Sequence, residues 1–126
     1  MNKILLFICL LSIIISKTYS QNIRDAWVTD KDGVKILVSF EPGGEFINGY
    51  FGSTSMTIKI DDIRTIKYLG KLENTGGSHY NLEFEFRMKD NTVMNIKLYF
   101  DGGFNGKHKY GTASWRYENI RLIEFI

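Results

Sequence analysis

The sequence predicts an all-β chain, a single antiparallel β-sandwich or flattened barrel built from two duplicated β units of about 50 residues each. Three observations carry that expectation. Apolar and polar residues alternate at period two along most of the chain, glycine-rich clusters interrupt the alternation at short spacings, and no stretch carries a helical period.

The first segment stands apart. Met1 to Ser20 reads as a cleaved secretory signal, with Lys3 ahead of the apolar run Ile4 to Ile15 and with Thr18 and Ser20 suited to a cut before Gln21. That run would span roughly 18 Å as a helix against a hydrocarbon core of ~30 Å, so no transmembrane anchor is expected in the mature chain. Residues 21–126 then form one β domain, with repeat units at about 24–70 and 79–126. The expected location is secreted, periplasmic or on the cell surface. Cys9 leaves with the signal, so the mature domain must stand on its core without disulfides.

Charge narrows the partners. The formal +2 includes Lys3 and Lys17, so the mature balance is 16 − 2 = 14 basic against 14 acidic residues. A nucleic acid is a poor partner for such a chain, because phosphate binding needs a net basic face.

Each β element has its own signal. A strand around Ala26 to Thr29 leads through the turn Asp30-Lys31-Asp32-Gly33 into the alternating Val34, Ile36, Val38, Phe40. Gly43-Gly44 marks the next turn. Ile58 and Ile60 alternate, the period breaks at Asp61-Asp62, and it resumes through Ile66 and Tyr68, which describes a strand, a tight corner plugged by Ile63, and another strand. Gly70 to Ser78 joins the halves. Tyr80, Leu82, Phe84, Phe86 and Met88 then alternate with Asn81, Glu83, Glu85 and Arg87; Lys89-Asp90-Asn91-Thr92 turns the chain; Met94, Ile96, Leu98 and Phe100 complete a hairpin. Gly102-Gly103 is another turn.

The repeat appears when residues 48–69 are laid over 105–126 at an offset of 57. Asn48-Gly49 then meets Asn105-Gly106, Ile63-Arg64 meets Ile120-Arg121, and Ile66 meets Ile123. With small gaps, Phe40 falls on Phe100 and Lys31-Asp32 on Lys89-Asp90. By this alignment Trp115 and Tyr117 take the places of Ile58 and Ile60 and should face the core.

Catalytic constellations are thin, and no enzyme, metal or cofactor is expected. Only His79 and His108 remain in the mature chain, without a nucleophile elbow or zinc-ligand spacing. Glu83 and Glu85 stand about 7 Å apart on one strand face, as a glycosidase pair could, but Asn95 and Lys97 are expected opposite them on a solvated surface. Asp30, Asp32 and the Asp101 to Asn105 loop offer oxygens to calcium, although turn formation explains both. The paired glycines precede strands, so they are turns and not phosphate loops.

Aromatic and basic groups remain. Trp27 is expected as a core plug or edge cover. The segments Asn48 to Ser53 and Asn105 to Gly111 are expected as equivalent glycine-flanked loops, which makes Tyr50, Phe51, Lys107, His108 and Tyr110 the candidate ligand-binding residues. The expected function is an exported noncatalytic module binding a protein or glycan. The alternatives are an envelope-structural or assembly module pairing through edge strands and, behind it, a small glycan-acting enzyme using Glu83 and Glu85.

Overall fold

A computed structural model describes residues 24–40, 46–73 and 76–126. The expected signal segment, its expected cut before Gln21 and the expected Gly43-Gly44 turn lie outside the described residues. Alternation becomes strands throughout: β1 Arg24–Asp30, β2 Lys35–Phe40, β3 Phe46–Phe51, β4 Thr54–Lys59, β5 Ile63–Lys71, β6 Tyr80–Met88, β7 Val93–Tyr99, β8 Gly103–His108, β9 Gly111–Arg116 and β10 Ile120–Phe125. None of the described residues forms a helix long and apolar enough to cross a membrane.

Turn chemistry sets the first hairpin of each half. Gly33 sits at φ +83° between β1 and β2, and Asn91 at φ +70° between β6 and β7. Both occupy the left-handed region, which glycine enters freely and asparagine tolerates. The corners at Asp61-Asp62 and Glu118-Asn119 are single 3-10 turns, Ile60–Asp62 and Tyr117–Asn119. Backbone bonds tie them in the same way, Lys31 N–H donating to the Asn119 carbonyl at 2.8 Å and Lys89 N–H to the Asp62 carbonyl at 2.9 Å.

All ten strands join one antiparallel sheet, in the order β4-β3-β7-β6-β5-β10-β1-β2-β8-β9, curled into a half-barrel whose edges are β4 and β9. The expected antiparallel β-sandwich or flattened barrel holds as an all-β fold with one buried face, made by a single curled sheet. Chain length forces the curl. Between the end of β7 and the start of β8 lie only residues 100–102, a reach of about 14 Å, whereas six inter-strand steps in a flat sheet would separate them by roughly 29 Å.

The order reads the same from either end when β1–β5 are exchanged with β6–β10. The two units are nevertheless not separate bodies. Hairpin β3–β4 leaves its own unit to pair with β7 through Tyr50 and Lys97, and hairpin β8–β9 pairs with β2 through Lys107 and Ser39. Close approach at those exchanges requires glycine. A Cβ on Gly49 would stand 2.6 Å from Ile96 Cγ2, and one on Gly106 would stand 2.8 Å from Val38 Cβ.

The concave face is one apolar core. Val28, Phe84, Phe86, Ile96 and Leu98 are buried in it with the corner residues Ile63 and Ile120, and Trp115 and Tyr117 pack partly buried against it. Two expectations need correction. Tyr80 does not follow Leu82 into the core, because a register shift between Tyr80 and Leu82 turns it outward against Tyr99. Trp27 is neither a core plug nor an edge cover: β1 lies between β10 and β2, its core positions are taken by Ala26 and Val28, and the pleat turns Trp27 outward, 36% exposed.

Candidate functional site

The convex face follows from the same pleat. On β2 the core takes Ile36, Val38 and Phe40, so Lys35, Leu37 and Ser39 point away from it. Leu37 stands opposite Trp27 and is 38% exposed, which puts two large apolar side chains together on the outer surface. Strand β8 arrives beside β2 with Lys107 opposite Ser39.

These residues line a groove of about 660 Å³, together with Ile36 and, where the β8–β9 hairpin turns, His108 and Lys109. The Lys35 ammonium lies 5.2 Å from the centre of the Trp27 ring and 3.6 Å from Glu124. The Ser39 hydroxyl donates to Asp25 Oδ1 at 2.6 Å. At the hairpin tip, Tyr110 N–H donates to His108 Nδ1 at 3.3 Å, so that nitrogen serves as an acceptor, and Lys109 Nζ lies 4.7 Å from the Tyr110 ring centre. Basic groups around an apolar floor suit an extended ligand carrying negative charge.

The expected loops are in fact strand ends. Tyr50 lies within β3 and Lys107 and His108 within β8, because both segments form regular six-residue hairpins with turns only at Gly52-Ser53 and Lys109-Tyr110. The structure brings Lys107 and His108 into the groove with Tyr110 beside them, 83% exposed. Tyr50 and Phe51 belong elsewhere, since six strands separate β3 from β8 in the sheet. Tyr50 packs its ring edge against Tyr80 at 4.7 Å, and Tyr80 in turn meets Tyr99 at 5.3 Å. Phe51 ends β3 and is 46% exposed.

Trp27, Lys35, Ile36, Leu37, Ser39 and Lys109 line the groove but were not among the expected binding residues. The alternation that marks Ala26, Val28, Ile36 and Val38 as core residues also marks Trp27, Lys35 and Leu37 as outward. Their convergence with Lys107 depends on the β2–β8 pairing, which no local pattern contains.

Other candidates have local partners. Glu83 stands opposite Lys97 and accepts from Asn95 Nδ2 at 3.3 Å, while Glu85 stands opposite Asn95 and lies 3.9 Å from Arg87. Asp30 Oδ1 accepts the N–H groups of Asp32 and Val34, both at 2.9 Å, and Asp101 pairs with Arg116 at 2.9 Å. Among the described residues no group of three or more His, Cys, Asp or Glu is placed to hold a metal ion. Arg24 packs its guanidinium 4.5 Å from the Phe125 ring centre and donates to the Ile60 carbonyl. Burial holds its pKa below the ordinary value, with Asp61 and Asp62 opposing that shift. This group ties β1 to the first corner.

No protein-family model, curated protein or solved structure matches the chain.

Proposed function

We propose that this chain is an exported, noncatalytic β-domain that binds a protein or glycan at a cell surface or outside the cell, and that the groove on β1, β2 and β8 is its binding site. One observation carries the reading: Trp27 and Leu37 lie side by side on the outer face, with Lys35, Lys107 and Lys109 around them. Exposed aromatic anchors flanked by polar groups are the usual origin of binding energy at a surface. The noncatalytic part rests on Glu83 and Glu85, which lie on an open face beside Asn95, Lys97 and Arg87 instead of in a desolvating cleft. The same reading takes the two halves as copies of one unit, with the groove specialised in the first half and completed by β8 of the second.

The test is capture of labelled protein on intact cells of the source and on their shed material. Trp27→Ala should weaken capture by ~1–3 kcal/mol, the scale of an aromatic anchor, with Tyr50→Ala close to the parent. Equal capture by parent and Trp27→Ala would remove the groove from the proposal.

A second reading has its own observation. Among the described residues, strands β4 and β9 each have a neighbour on one side only, and β9 pairs with β8 over six regular positions without a bulge. Such an edge is a template for another strand, as an assembly module requires. A concentration-dependent oligomer that persists in Trp27→Ala would favour it.

A further inference from the structure

We infer that the groove selects an anionic polysaccharide, carboxylated or sulfated, laid across Trp27 and Leu37 with its charges toward Lys35, Lys107 and Lys109. The inference rests on the groove being a binding site and goes on to name the ligand's chemistry.

Charge complementarity is the first argument. The groove lining carries three lysines and His108 and, among the described residues, no carboxylate. The chain beyond the signal segment has equal numbers of basic and acidic residues, so this concentration is local and not a reflection of a basic protein. At the margin Asp25 accepts from the Ser39 hydroxyl and Glu124 pairs with Lys35, so an anionic ligand would take the place of Glu124 at that ammonium.

The floor supplies the second argument. A small inorganic anion would gain nothing from Trp27 and Leu37, whereas the C–H face of a sugar ring buries well on a flat aromatic surface. The Lys35 ammonium lies over the Trp27 ring, 5.2 Å from its centre, so a sugar ring that displaces it to stack there would keep an acidic substituent within reach of that ammonium.

Backbone pairing separates a glycan from an acidic peptide. An extended peptide gains much of its affinity by adding a strand to a sheet edge. Here β1 is already paired with β10 and β2, and β2 with β1 and β8, so the groove floor offers side chains and no free edge. Polysaccharides need no backbone ladder.

The experiment is titration calorimetry of the purified protein with polygalacturonate, dextran sulfate, neutral dextran and poly-L-glutamate at low and moderate salt. Binding is expected to at least one of the two anionic polysaccharides, and which of them binds identifies the acidic group. Trp27→Ala should weaken it about tenfold, Lys107→Ala with Lys109→Ala by a similar factor, and Trp27→Phe, which keeps a flat ring, by less than about threefold. Melting temperatures near the parent's would show that the variants are folded. Equal binding of neutral dextran would overturn the role given to charge, and equal binding of poly-L-glutamate would overturn the glycan. Loss of charge contacts without any effect of Trp27→Ala would reduce the groove to a nonspecific basic patch. Failure of all four polymers would overturn the inference while cell capture, if it still required Trp27, upheld the groove as a binding site.

Discussion

The two halves of the sheet bury nearly the same face and expose different ones. On the concave side Val28 corresponds to Phe86, Val38 to Ile96, Gly49 to Gly106 and Ile63 to Ile120, and every one of these positions is buried. On the convex side the row Asp25, Ser39, Lys107 corresponds to Glu83, Lys97, Tyr50, and the pair Trp27–Leu37 to Glu85–Asn95. Packing constrains the first set, since an interior at crystal-like density has room for few alternatives. Nothing comparable constrains the second. In a sheet with a symmetric strand order, the positions to examine for activity are those whose chemistry differs although their places in the sheet correspond.

That comparison breaks most readily at the corners. Ile63→Ala and Ile120→Ala should each cost on the order of 2–5 kcal/mol, by similar amounts, because both side chains are fully enclosed at equivalent bends. Lys59→Ala, a change at an exposed position on the adjoining strand, should stay within roughly 0.5 kcal/mol. Denaturant unfolding checks both; a cheap Ile120→Ala beside a costly Ile63→Ala would mean that the halves share an outline without sharing energetics.

Next in size are the exchange points. Gly49→Ala and Gly106→Ala should each destabilise by about 1–3 kcal/mol, since the new methyl meets Ile96 and the Lys97 carbonyl in one half and Val38 in the other. Thermal melts of the two variants sharpen the comparison. A larger loss at Gly49 is expected, because one of its obstacles, the Lys97 carbonyl at 2.7 Å, is backbone, which yields less readily than a side chain.

The smallest effect concerns the hairpin turns. In β6–β7 the Thr92 N–H donates to Asp90 Oδ1 at 2.9 Å, and these bonds from Thr92 hold the Asp90 pKa below its ordinary value of 3.8. A depressed carboxylate stabilises the folded chain fully above its unfolded pKa, and the contribution fades as pH falls through the lower folded value. Asp90→Asn should therefore lower the melting temperature slightly at neutral pH, and the gap should shrink as acid protonates Asp90 in the folded chain. A gap that persists in acid would show that the amide disturbs the turn by something other than charge.

Much of this architecture was legible because its causes are local. Period-two alternation located the β6–β7 hairpin nearly to the residue, the clusters Asp30 to Gly33 and Lys89 to Thr92 marked turns, and the broken period at Asp61-Asp62 marked a corner. The outward direction of Trp27 was also present in its neighbours Ala26 and Val28, but an isolated tryptophan invites a core assignment because its large apolar surface is usually covered. The candidate loops failed for a different reason: glycine at 49 and 106 signals flexibility in a sequence, whereas in the sheet it makes room for a neighbouring strand.

Residue pattern alone was enough for the all-β class, the β1–β2 and β6–β7 hairpins and the corners at Asp61-Asp62 and Glu118-Asn119, since each depends on residues within a few positions of one another. Only the tertiary structure decided that hairpins β3–β4 and β8–β9 leave their own units, that ten strands make one curled sheet, and that Lys107 meets Ser39 beside Trp27 and Leu37. Strand order is a choice among pairings with similar local preferences, settled by short connections that cannot span a flat sheet and by the burial of one shared face. The groove exists only after that choice is made.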